Sequence, residues 1–241
     1  MVPQTALNLS RGCGNPTGFA NIRPGEVVLD FGCGGGIDVI LAAHKVGPLG
    51  TVVGIDFAPQ MIERARQAVA DAGLQDRNIE FCLARMDMTG IADGFADVVV
   101  SNCVVNLCPD KDAVYKEAFR TLRPGGRLAI SDIVLTDDID PQLRNRFQSN
   151  WAGCLGGALG EDAYWRTVVG AGFAAIRIVT RHLLTPEELE AMACCPGKEF
   201  TAPQVKEDLA VVQGRVASLK FTAVKPSSSV ASPCHAGWIG M

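Results

Sequence analysis

The sequence predicts an α/β fold built on a mostly parallel, seven-stranded sheet with helices on both faces. Three observations carry this expectation. Short apolar runs alternate with helical stretches between residues 27 and 134. The first run ends in a glycine-rich turn, Gly32-Cys33-Gly34-Gly35-Gly36, and the second ends in an acid, Asp56. Alternation of this kind gives parallel strands covered on both faces, and such strands are apolar throughout rather than alternating.

The elements follow in order. Residues 1–26 read as loop, with Gly12, Gly14, Pro16, Pro24 and Gly25. Val27 to Phe31 is a short apolar run bounded by glycines, a buried strand, and Ile37 to Lys45 is a helix. Gly50 to Asp56 is the second strand. Pro59 to Ala72 is a helix with Pro at its start and Gly73 just past its end, the usual placement of both residues. Asn78 to Leu83 and Phe95 to Ser101 are the third and fourth strands. A helix over Asp112 to Leu122, a turn at Gly125-Gly126 and a fifth strand over Arg127 to Val134 follow. Beyond residue 135 the alternation loosens. Helices are expected over Pro141–Asn150, Asp162–Ala171 and Pro186–Ala193, and strands over Ala175–Leu184 and Val216–Val224. This divides the chain into an alternating core (1–135), expected to bind a cofactor if its glycine turn does, a looser region that completes the sheet and is expected to carry the substrate site (136–226), and a Ser-rich flexible tail (227–241).

Composition narrows the function. With 22 basic and 26 acidic residues the net charge is −4, which argues against a nucleic-acid partner. No apolar run reaches the ~18 residues of a membrane span, and Met-Val-Pro-Gln lacks a signal-peptide layout. A cytoplasmic protein with no membrane partner is expected, and a monomer is favoured. Nine cysteines, an odd number without a CxxC pair, suggest neither a disulfide framework nor a zinc ribbon. They leave soft-metal or metalloid chemistry open.

The turn after the first strand lets the backbone approach a ligand closely. A glycine turn alone also suits a nicotinamide-binding protein or a purely structural role. Two acids shift the balance: Asp30, just before the turn, suits a ligand with an ammonium group, and Asp56 can accept from both hydroxyls of a ribose. Asp87, after the third strand, either accepts from an adenine amino group or is a solvated loop acid. His44 and His182 have ordinary helix and strand contexts.

The run from Val28 to Val134, with Leu122-Arg123-Pro124-Gly125-Gly126 before the fifth strand, resembles the Rossmann-like class I S-adenosylmethionine-dependent methyltransferases. By position, the resemblance implies that Asp30, Gly32, Gly34, Asp56, Phe57, Met86, Asp87 and Asn102 line the cofactor site, with Phe57 and Met86 flanking the adenine. Three motifs narrow it further: Asn8-Leu9-Ser10-Arg11-Gly12-Cys13-Gly14-Asn15-Pro16, Ser101-Asn102-Cys103-Val104-Val105-Asn106-Leu107 and Trp151-Ala152-Gly153-Cys154-Leu155-Gly156-Gly157. Together they resemble the arsenite methyltransferases. The resemblance spans about residues 7 to 225.

What this implies is transfer of a methyl group from S-adenosylmethionine to trivalent arsenic. Arsenic(III) is thiophilic, so thiolates are its natural ligands. Its lone pair can displace the sulfonium-bound methyl in line, so no general base is required, in keeping with only three His. Cys13 and Cys154 are the expected arsenic ligands and catalytic residues. Each could instead be a buried small apolar side chain, the commonest fate of a free cysteine. For Cys33, Cys82 and Cys103, in or beside strands, the core reading is favoured. A thiol reductant such as glutathione or thioredoxin is the implied co-substrate. The chain departs from the family in three places: Gly214 falls where many members have a third thiol before the last strand, Cys108 replaces a common Ser, and the segment ahead of Gly12-Cys13-Gly14 is short. Two other functions remain: a methyltransferase for carbon, nitrogen or oxygen acceptors whose cysteines only pack, and a metalloid-binding or thiol-redox protein on the same fold.

Overall fold

The computed structural model describes residues 14–137, 139–150, 155–193 and 203–227. Seven strands form one sheet: β1 (Val27–Phe31), β2 (Thr51–Asp56), β3 (Asn78–Leu83), β4 (Ala96–Asn102), β5 (Leu122–Leu135), β6 (Ala174–Leu183) and β7 (Val216–Val224). Their order is β3-β2-β1-β4-β5-β7-β6. Strands β1 to β5 run parallel, and β7 is antiparallel to both β5 and β6. The expected mostly parallel seven-stranded sheet is observed.

The helices are α1 (Pro16–Phe19), α2 (Ile37–Val46), α3 (Pro59–Asp71), α4 (Lys111–Thr121), α5 (Pro141–Asn150), α6 (Glu161–Gly170), α7 (Pro186–Ala193) and α8 (Pro203–Val212). Helix α1 lies where the sequence suggests loop, and α8 falls in a stretch for which the sequence suggests no element. Helix α1 is a single turn that starts on Pro16 and is capped by Asn15, whose Oδ1 accepts from Gly18 N. No helix of the described residues is long and apolar enough to cross a membrane.

Strand β5 is longer than its apolar run. It begins at Leu122, and its register with β4 shifts between Ala96↔Leu122 and Val98↔Arg127. Gly125 takes a positive φ of 77° inside that irregularity, so the expected turn is a bulge within a strand. Lys225 holds it, with Gly125 N donating to Lys225 O and Lys225 N donating to Gly126 O.

Two apolar layers cover the central strands. Helices α2 and α3 pack on one face with Val28, Val52, Val98, Val100 and Ala129. Helices α4 and α6 pack on the other with Leu29, Val53, Val99, Leu128 and Phe221. A third cluster lies beyond the carboxyl end of β5. It joins Cys103, Ile133 and Leu135 to Leu155, Ala158 and Val216. Because β1 lies between β2 and β4, its connections leave in opposite directions. That opens a crevice at the carboxyl ends of these strands, where open α/β sheets bind ligands.

Candidate active site

The crevice is lined by backbone from β1 and β2 and by three carboxyl groups. After Phe31 the chain turns back so that Gly32 N and Cys33 N both donate to Ile55 O, at 2.8 and 2.9 Å. Gly32 has φ 76°, and a Cβ there would run into the side chain of Val104, so glycine is required. Gly34 N donates to Asp56 Oδ2 at 3.0 Å, while Ala58 N donates to Asp56 Oδ1 at 2.9 Å. These bonds fix the Asp56 carboxylate at the mouth and leave each oxygen a further lone pair.

Asp30 is 1% exposed, and its Oδ2 has no hydrogen-bond partner among the described residues. Burial raises its pKa well above the usual carboxylate value, and the nearby Asp38 and Asp56 push it further up. Asp38, in the first turn of α2, is a third acid that the sequence reading missed. Its Oδ2 accepts from Asn102 Nδ2 at 2.9 Å, its Oδ1 has no partner, and burial raises its pKa too. Asp38 lies two residues inside a helix whose apolar pattern dominates, which hid it. The spacing of an acid six residues beyond Gly32 was the only available signal. Two buried acids with unpartnered oxygens, beside the Asp56 carboxylate, form a site for a cation.

Around the mouth, Phe57 is 68% exposed, and Leu83 and Met88 are exposed as well. They present an apolar surface at the ends of β2 and β3, where a flat ring could be covered. Met86 packs in the core with Leu29, Val53 and Ile55. Asp87 is bound on both oxygens by Arg85, at 2.9 Å from Nε and 2.5 Å from Nη2, and this pairing keeps its carboxyl below the usual range. An adenine amino group would share Asp87 with that guanidinium.

Asn102 joins this pocket to a second region. Its Nδ2 also donates to Gly14 O at 2.8 Å. Gly14 lies against β5 and β7, where a Cβ would run into Ser131 Oγ and Lys220 Cε. Cys103, next in the chain after Asn102, is buried and holds φ 63°, with its N donating to Ser131 O at 2.8 Å. Cys13 and Cys154 lie outside the described residues, but the residues that follow them do not. Gly14 sits beside Ser131, and Leu155 packs in one cluster with Cys103.

The thiols sort into two kinds. Cys33, Cys82 and Cys108 are free. Burial raises the Cys33 thiol far above its ordinary value, helped by Asp30 and Asp56, and burial also raises Cys108. Cys103 is disulfide-bonded, and its partner is none of these three. It is buried as expected, yet it is not an inert apolar filler. A left-handed non-glycine residue directly after a strand end marks it structurally, and no sequence pattern announces that backbone conformation. Gly214, expected where a third thiol might stand, is on an exposed turn with φ 75° and open space around its α-carbon.

A seven-stranded sheet of this order with an acid-lined crevice at its switch point defines a ligand-binding α/β domain. A family profile described as "Methyltransferase domain" matches residues 22–180, and the chain belongs to that family. Within it, the chain is 44% identical over 180 residues to an arsenite methyltransferase of Halobacterium salinarum, covering 72% of this chain and 44% of that protein. It is 35% identical over 174 residues to the arsenite methyltransferase of Homo sapiens, covering 68% of this chain and 45% of that one. The crystal structure of an arsenic(III) S-adenosylmethionine methyltransferase from Chlamydomonas reinhardtii superposes with a TM-score of 0.77 at 28% identity, covering 93% of this chain and 71% of that chain. The chain spans about half the length of the curated relatives it matches.

Proposed function

We propose that the protein transfers a methyl group from S-adenosylmethionine to trivalent arsenic held by the thiolates of Cys13, Cys154 and Cys103. The observation that carries this reading is the convergence on Cys103. Gly14, which follows Cys13, accepts from Asn102, the neighbour of Cys103 that also bonds the acid pocket, and Leu155, which follows Cys154, lies in one apolar cluster with Cys103.

The pocket fits the cofactor. Unpartnered Asp30 and Asp38 oxygens suit an ammonium and a neighbouring sulfonium, and Asp56 suits the ribose hydroxyls. Phe57, exposed at the mouth, suits one face of the adenine. S-Adenosylmethionine, when bound, supplies an electron-poor methyl group on its sulfonium sulfur. The residues of this chain do the rest by placement. Soft thiolates bind arsenic and leave its lone pair free. Asn102 bridges the two halves, so arsenic and methyl carbon can be brought within the ~3–3.5 Å of a near-attack geometry. No side chain has to accept a proton in the transfer itself.

Cys103 must be reduced before it can ligate. Two electrons and two protons from a thiol reductant such as glutathione or thioredoxin would open its disulfide to two thiols and leave the reductant oxidised. A cytoplasmic location suits this, because thiols are kept reduced there.

The test is arsenic speciation after incubation with arsenite, S-adenosylmethionine and excess thiol, beside a panel of organic acceptors. Methylated arsenic is expected, and it should fall by at least 100-fold in Cys103→Ser and Cys154→Ser while cofactor affinity holds. Methylation of an organic acceptor alone would overturn the arsenic assignment.

A further inference from the structure

A further buried acid lies away from the cofactor pocket and has a different environment. Asp132 of β5 is fully buried. Its Oδ1 accepts from Asn106 Nδ2 at 2.9 Å and from Ile133 N at 2.9 Å. Its Oδ2 accepts from the hydroxyl of Tyr164 at 3.2 Å, and Tyr115 in turn donates to Tyr164 at 2.5 Å. Burying an acid is costly unless its bonds accomplish something that an apolar residue could not. These bonds join three separate pieces of chain. Asn106 lies in the 3-10 turn Val105–Leu107, which begins two residues after Cys103. Tyr164 lies on α6, which follows the segment 155–160. Asp132 itself lies on β5, beside Ser131, whose carbonyl holds Cys103.

The segment 155–160 is also tied to the same junction through its backbone. A Cβ on Gly157 would run into the carbonyl oxygen of Asn106. Leu135 N donates to Leu159 O at 2.9 Å, and Arg144 Nη1 donates to Ala158 O at 2.7 Å. Asn106 is 3% exposed, and its other bond goes to Ile133 O at 2.7 Å. Its side chain is therefore held wholly by β5, while its carbonyl meets Gly157.

We propose that Asp132 is the positioning residue of the thiol site: by accepting from Asn106 and Tyr164 it locks the turn that follows Cys103 to the segment that follows Cys154. The inference rests on the reading of these two cysteines as arsenic ligands. It predicts that Asp132 sets the spacing of the thiols without touching arsenic or cofactor. The charged and titratable groups facing it are Lys111 and Tyr115 from α4 and Tyr164 from α6; its β7 partner, Leu219, is neutral. Burial brings the Asp132 carboxyl up to about 7.

The experiment compares the reduced wild-type chain with Asp132→Leu, Asp132→Asn and Asn106→Ala. Arsenite and S-adenosylmethionine are titrated separately by calorimetry, and circular dichroism reports folding. Asp132→Leu and Asn106→Ala should weaken arsenite binding at least tenfold and change cofactor affinity less than twofold. Asp132→Asn, which keeps an acceptor toward Asn106, should restore most of the loss. If Asp132→Leu does not fold, Asn106→Ala decides. Wild-type arsenite affinity in folded Asn106→Ala would overturn the positioning role. A wild-type chain that binds no arsenite would instead overturn the arsenic reading on which it rests.

Discussion

Asp30 and Asp132 are both buried carboxyl groups on parallel strands, and burial raises the pKa of both, yet their surroundings are opposite. Asp30 has an oxygen with no partner and two more acids as neighbours. Asp132 has bonds to both oxygens, from Asn106, Ile133 and Tyr164. The first arrangement is incomplete without a cation. The second is complete and serves the chain itself. Burial of an acid therefore does not identify a ligand site; counting its partners does.

The largest effect expected from this contrast is on the cofactor side. Removing the Asp56 carboxylate deletes charge-assisted bonds of about 1.5–3 kcal/mol. Asp56→Ala should weaken S-adenosylmethionine binding by roughly 10- to 100-fold, read by calorimetry, with arsenite binding unchanged. Equal loss for both ligands would mean that the two regions are not separable.

On the thiol side the strongest steric constraint is Gly157. Gly157→Ala places a methyl against a backbone carbonyl that cannot swing away. A destabilisation of about 1–3 kcal/mol is expected. Thermal melts would show it as a fall of at least ~2–4 °C for a chain of this length. An unchanged melting temperature would show that the 155–160 segment is not seated on Asn106.

The raised pKa of Asp132 also makes stability depend on pH. A carboxyl whose folded pKa is raised favours the fold when protonated. Its contribution is complete below about 4 and is lost as pH rises through the folded value, here about 7. Wild-type stability should thus decline from pH 5 to pH 8 more than that of Asp132→Asn, by a few degrees in melting temperature. Parallel curves would place the Asp132 pKa near its ordinary value.

The smallest effect belongs to Cys33. It is free, buried within the glycine turn, and its thiol is raised rather than lowered. Cys33→Ser should leave arsenite methylation within a few-fold of wild type. Complete loss of arsenite binding would relocate the thiol site to the cofactor loop.

The difference in legibility between the two regions follows the same line. Asp30, Gly32, Gly34 and Asp56 were visible because each stands at the end of an apolar strand, and parallel strands bring their ends together without further information. Asp38 escaped because its helix pattern gives no sign that its first turn faces the crevice. The strand context of Cys103 puts it in the core, where it is buried in an apolar cluster, but no local pattern records its disulfide bond. Gly125-Gly126 suggested a turn because glycine is scarce in strands, but pairing with Lys225 on a distant segment keeps that stretch extended.

By itself, the sequence determined the sheet, its parallel core and the acid-lined glycine turn, because strand and helix periodicity and turn chemistry act over a few residues at a time. Only the tertiary structure decided that Asn102 reaches Gly14, 88 residues earlier, and that Asn106 reaches Asp132, 26 residues later. Only it decided that Leu155 packs beside Cys103. Those contacts depend on how β7 and β6 close the sheet beyond β5 and on how loops without periodicity settle over the strand ends. Their backbone groups find partners far away in the chain, and no local pattern records which partner that will be.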